Sequence, residues 1–141
     1  AWRVRGRGVR VGVASAARLR AVGDVALAAS ISRQQGGRES AEGECSRRHT
    51  LRGGRILKAA ASLGPVARLV RSGHERGDGA GYPDGLAGEE IPLGSRIVFA
   101  CDAFEAMTSS DRHYREPLTA GAALDELADR AGHQFAPRVV R

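Results

Sequence analysis

Apolar positions recur three and four residues apart over most of this chain, and glycine and proline break the rhythm at a few places. The exception is residues 1–13, AWRVRGRGVRVGV, where apolar and basic side chains alternate with a strand-like period. Glycines interrupt that stretch, and it is expected to be weakly structured. A short helix is predicted over 14–23, with Leu19 and Val22 on one side and Gly23 as its stop. Residues 32–43, SRQQGGRESAEG, read as polar linker. Over 44–61, His49, Gly53, Ile56, Leu57 and Ala60 fall on one helical face, although Gly53 and Gly54 each cost about 1 kcal/mol relative to alanine. Pro65 stands where the first turn of a helix accepts proline, and Val66, Leu69, Val70, Gly73 and His74 form that helix's stripe. A strongly apolar helix is predicted over 95–107, carrying Ile97, Val98, Cys101, Phe104 and Ala106. Thr119 is a good N-cap for another, with Leu124, Leu127 and Ala131 as its buried stripe and Gly132 as its end. Pro137 opens one more turn. The expectation is an all-α fold, with residues 1–43 a degenerate or partly disordered N-terminal segment and 44–141 the helical domain.

The segment that fits none of these helices is 77–94, a long turn rich in glycine and proline. A loop of that length without secondary structure is usually functional. Gly79 and Gly81 permit backbone angles closed to other residues, and Tyr82 and Pro83 stiffen the turn. Such a loop can wall a pocket, or it can simply pack against neighbouring helices. Asp78 is placed to brace it by hydrogen bonds to its own backbone.

Charge changes the picture little. Residues 1–58 carry thirteen basic side chains against four acids, a net +9, and the remainder has a net −3. Lys58 is the single lysine among 22 basic residues, which points to a general preference for arginine. No aromatic residues interleave the basic ones, so nucleic-acid binding is not expected. No apolar run approaches the roughly 20 residues needed to span a bilayer, and no cleavable leader is evident. Cys45 and Cys101 are far apart and unpatterned, which suits a reducing cytoplasm.

Two features raise the question of chemistry. Asp102 lies inside the apolar run IVFACDAF, between Phe99, Cys101 and Phe104. An unpaired carboxylate in a core costs several kcal/mol or gives up its charge, so Asp102 needs a cation, a donor or an exposed position. His49 and His74 each sit on an apolar stripe of successive helices. Either one alone reads as a satisfied core or surface histidine. Together with Asp102 they make a donor set that suits divalent metals, if packing brings them together.

The stretch from His74 to Pro83 reads HExxDGxGYP, and it resembles the signature of the HD-GYP domains, all-α metal-dependent phosphohydrolases of the HD superfamily. The likeness continues through PDGLAGEEIPLGSRIVFACDAFEAMT at 83–108, DRHYREPLTAGAALDEL at 111–127 and, upstream, RRHTLRGGRIL at 47–57. It implies an HD-domain-like helical bundle with a long GYP loop (Glu75, Asp78, Gly79, Gly81, Tyr82, Pro83). It also implies a centre of two or three divalent ions, most often iron or manganese, whose bound hydroxide attacks the phosphodiester of cyclic di-GMP. Carried over position by position, His49, His74 and Asp102 match metal ligands, and Arg112 and Arg115 match residues that contact substrate phosphate.

The departures fall on the family's namesake pair. Where relatives read LHDxGK, this chain reads LRAVGD at 19–24: Arg20 stands for the histidine, Ala21 for the metal-bridging aspartate and Asp24 for the lysine. Gly73 replaces the first of two paired histidines, Gly77 stands at a tryptophan-like position, and TSSDR at 108–112 carries an extra serine. Three surviving ligands can hold one metal with open positions but not a bridged pair. The expectation is a phosphodiesterase domain of bacterial cyclic di-GMP signalling with weak or absent catalysis. The alternative is a non-catalytic module that binds a nucleotide or docks a signalling partner through the GYP loop.

Overall fold

A computed structural model describes residues 7–23, 47–110 and 116–140. The expected linker at 32–43, Asp24, Cys45, Arg112 and Arg115 lie outside them. Among the described residues the chain is all-α, with no strand. The helices are α1 (Arg7–Leu19), α2 (His49–Lys58), α3 (Gly64–Arg71), α4 (Leu93–Thr108), α5 (Ala120–Asp129) and the short α6 (Pro137–Val140). Single 3₁₀ turns occur at Ala61–Leu63 and Gly88–Glu90. None of these helices is long and apolar enough to cross a membrane.

The first correction concerns the N-terminal stretch. The chain is helical from Arg7, not strand-like. Alternation over 1–13 competes with a second spacing, in which Val13, Ala16 and Ala17 recur at three and four residues and share the core-facing side. Val11, which the alternation makes equivalent to Val13, is left 60% exposed. The helical face has partners to bury against, because α1 packs on α3 and α4, whereas a lone strand has none.

A first core gathers Ala16 of α1, Leu57 of α2, Val66, Ala67 and Val70 of α3 and Val98 of α4. The two glycines that weaken α2 in isolation are used here. A Cβ on Gly53 would come within 3.1 Å of Val70 Cγ1, and one on Gly54 within 3.3 Å of Arg71 Cβ, so α2 approaches α3 more closely than larger residues allow. Ile56, expected on the buried face, is 47% exposed because that close approach centres on Gly53 and Leu57 instead. The start of α4 is tied to α3 by the buried Ser95 hydroxyl, which donates to the Leu69 carbonyl at 2.9 Å.

A second core forms on another side of α4, from Ala100, Leu127 of α5 and Phe135, with Phe99, Ala103, Phe104, Met107 and α6 packed around it. Serving two cores explains why α4 is apolar on so many sides. The N-cap of α5 is Thr119, whose side chain accepts from the Ala122 amide at 3.2 Å. Its buried face differs from the expected stripe: Ala123 and Leu127 are buried, while Leu124 is 57% exposed. Ala123 lets the helix lie close to α4, and that turns Leu124 outward.

Candidate functional site

Three elements bring the candidate residues together. His49 opens α2, His74 follows the end of α3, and Asp102 lies in the middle of α4. The close α2–α3 approach sets the imidazoles of His49 and His74 5.0 Å apart, edge to face. Both rings and Asp102 line one narrow pocket, which also receives Arg20, the buried Thr50 and Gly73. Its free volume is about 10 Å³, room for roughly one water-sized sphere.

The cation beside Asp102 is Arg20. Its Nε donates to Asp102 Oδ1 at 2.6 Å, its Nη2 donates to Glu105 Oε2 at 2.8 Å, and its Nη1 donates to the Ala17 carbonyl at 3.1 Å. The guanidinium is thereby fixed on all three nitrogens, with the Asp102 side chain 27% exposed. This answers the question raised by an acid in an apolar run. Glu105 is a participant that sequence reasoning missed. The signal was present in its position three residues after Asp102, on the same helix face.

The GYP loop is held by its own bonds. Glu75 is only 1% exposed, and its carboxylate accepts from two loop amides, Asp84 N at 2.7 Å and Leu86 N at 3.0 Å. Two forked ion pairs brace the outside: Arg71 to Asp84 at 2.6 and 2.8 Å, and Arg76 to Asp78 at 2.6 and 3.0 Å. The Asp78 carboxylate also accepts from Ala80 N at 3.1 Å. The Arg76 guanidinium and that amide hold Asp78 down to a pKa of about 2. Arg71 likewise lowers the pKa of Asp84. Gly79 takes a left-handed backbone, φ 78°, and a Cβ on Gly81 would overlap the Arg76 nitrogen and the Glu75 Cα.

The loop folds back over the histidine. Tyr82 N donates to the His74 carbonyl at 3.1 Å, and the Tyr82 ring stacks on the His74 ring at 5.2 Å with 21° between planes. Phe99 meets the same imidazole edge-on at 6.1 Å, and Phe135 packs behind Phe99 at 5.2 Å. The Tyr82–Pro83 peptide is cis. Gly77 lies against the turn before Phe135, donating to the Gln134 carbonyl at 3.1 Å. A Cβ there would stand 2.8 Å from the His133 carbonyl, so the tryptophan expected at this position has no room.

The pocket was expected to hold metal, and as arranged it does not fit a metal centre of the bridged kind. Among the described residues no group of three His, Cys, Asp or Glu side chains is placed to hold an ion. Gly73 offers no donor and Ala21 no bridging carboxylate. The one carboxylate in the pocket is engaged by a guanidinium, whose charge opposes a second cation beside it.

Comparison with known proteins points in a single direction. The model of the family described as HD domain matches residues 10–139. The chain is 39% identical over 127 residues to the cyclic di-GMP phosphodiesterase response regulator RpfG of Xanthomonas campestris pv. campestris, covering 89% of this chain and 33% of that protein. It is 33% identical over 130 residues to 3'3'-cGAMP-specific phosphodiesterase 2 of Vibrio cholerae, covering 91% of this chain and 25% of that one. It is 36% identical over 127 residues to a cyclic di-GMP phosphodiesterase of Thermotoga maritima, covering 89% and 34%. The chain thus spans between a quarter and about a third of the length of these relatives.

Proposed function

Because this chain belongs to the HD domain family, in its HD-GYP branch, we propose that it is a phosphodiesterase-type domain of cyclic di-GMP signalling in which hydrolysis is weak or absent. The observation that carries this reading is the 2.6 Å contact between Arg20 and Asp102. HD-domain phosphodiesterases are metal-dependent, with iron or manganese the expected ions, and such a centre would supply activated water for attack on a phosphodiester. Here the carboxylate for that work is bound to arginine, and the bridging acid is alanine at position 21. The substrate class remains a cyclic dinucleotide, cyclic di-GMP or a close relative, with Arg112 and Arg115 as its phosphate contacts and the cytoplasm as its setting.

One observation favours the second reading, a non-catalytic module that docks a signalling protein through its loop. The loop keeps its shape through bonds of its own, from Glu75, Arg71–Asp84 and Arg76–Asp78. Turnover and binding of cyclic di-GMP, measured side by side in the presence of manganese, test both. Binding without a linear product supports the proposal. Steady turnover that His74→Ala abolishes overturns it, and the absence of any binding leaves the docking module.

A further inference from the structure

Residues 45–74 carry seven basic side chains and no acid. The stretch contains α2 and α3, and three of its arginines fall along one side of α2: the N-cap residue Arg48, then Arg52 and Arg55, at spacings of four and three. The row runs for about 10 Å at the helical rise. Together with Leu51 these three side chains line a cleft of about 440 Å³. That is the size of a small-ligand site, and among the described residues it shares no wall with the pocket of His49 and His74. Arg48 and Arg55 are exposed, while Leu51 and Arg52 are half-buried. No ion pair among the described residues includes Arg55. Like charges at these spacings repel, and neither α2 nor α3 has an acid of its own to offset them. Each guanidinium has five N–H donors, so it can take a phosphate oxygen while keeping a contact elsewhere.

We propose that this cleft is a phosphate-binding site for a free ligand with two or more linked phosphates, of the nucleoside di- or triphosphate class. The inference goes beyond the phosphodiesterase reading and does not depend on it. Arginine grips phosphate through two parallel N–H bonds, and a row of three offers that grip to successive phosphate groups. The cleft has room for more than phosphates, and Leu51 supplies an apolar wall for a sugar or base. Two other polyanions suit the face less well. Residues 45–74 hold no Phe, Trp or Tyr, so a nucleic-acid strand finds nothing to stack on. Ile56 is the one large apolar side chain exposed on α2 and α3, too little to enter a lipid surface.

Isothermal titration of the purified chain with inorganic tripolyphosphate and with guanosine triphosphate, at one fixed salt concentration, tests this. Both should bind, and both should raise the melting temperature. Arg48→Ala combined with Arg55→Ala should weaken binding by about tenfold or more. The same two positions changed to lysine should also weaken it, since lysine retains the charge but not the fork. Arg10→Ala combined with Arg18→Ala removes two exposed charges from α1 and should leave binding within about twofold. A lysine pair that binds like the native chain, or equal losses in the α1 and α2 variants, would mean general attraction to a basic protein and overturn the site. Absence of binding by the native chain overturns it too, as does binding to phosphatidylserine vesicles without either soluble ligand. Binding of tripolyphosphate alone overturns the assignment to a nucleotide, and displacement of the nucleotide by cyclic di-GMP overturns the claim of a second site. If the double variant does not fold, the exposed Arg55 decides by itself: weaker binding in Arg55→Ala supports the cleft and unchanged binding overturns it. The phosphodiesterase reading is judged separately, on cyclic di-GMP, and stands or falls without this result.

Discussion

Replacing Glu75 by alanine should destabilise the domain by about 3–6 kcal/mol, since a hydrogen bond to a charged group contributes about 1.5–3 kcal/mol and Glu75 makes two. The side chain is almost wholly buried, and its partners are the Asp84 and Leu86 amides of the loop. Those amides are only partly buried and can recruit water once the carboxylate is gone, which favours the lower half of that range. Arg71, already paired with Asp84, also feels the Glu75 charge and loses that support in the variant. Domains of this size are stable by about 5–15 kcal/mol, so the loss is a large fraction of the total. Glu75→Gln sharpens the test. It preserves volume but turns one acceptor into an NH₂ group that faces an N–H, so it should cost about 1.5–3 kcal/mol. Urea denaturation followed by far-ultraviolet circular dichroism gives both values. If alanine costs less than about 0.5 kcal/mol, the level of an ordinary surface substitution, the loop is not held by Glu75 and the reasoning fails.

Acid should weaken the loop in a defined window. Asp78 has a folded pKa of about 2 against an ordinary 3.8, so its contribution is fully present above 3.8 and is lost as pH falls through about 2. Asp84 is lowered in the same direction by Arg71 and adds to the effect. Melting curves across this range should drop with pH, less steeply in Asp78→Asn and less again at high salt; an identical slope in the variant removes Asp78 from the account. In α5, Leu127→Ala should cost about 2–5 kcal/mol and Leu124→Ala should be nearly silent, a contrast that equal effects in thermal denaturation would contradict.

Much of this fold was legible in local signals. Pro65, Thr119 and Pro137 each mark the start of a helix with a group that acts within one turn, and no distant contact is needed to interpret them. The apolar run at 95–107 announced α4, because a helix packed on two sides leaves few positions for polar residues. Two misplacements have one physical cause. Hydrophobicity ranks Leu124 above Ala123 and Ile56 above Gly53, yet helices that touch closely select the small residue for the contact. The Val11 and Val13 alternation misled because a short stretch satisfies both periods, and only its packing partners decide between them.

The site was legible only in outline. The family resemblance put His49, His74 and Asp102 in one place, and the structure sets them around one pocket. It did not show that Arg20 would grip Asp102 across 82 positions, since no spacing in the chain encodes that pair. Nor did it reveal Glu75 as a buried staple. A glutamate in a glycine-rich turn normally faces water, and only the path of the loop around it turns it inward.

Asp102 and Glu105 both ride on α4, a rod clamped from two sides by separate apolar clusters. Between them the two clamps fix how far the rod can roll about its own axis. Shaving the distal clamp at Leu127 or Phe135 would therefore loosen the aim of both acids toward α1 without altering a single charged atom.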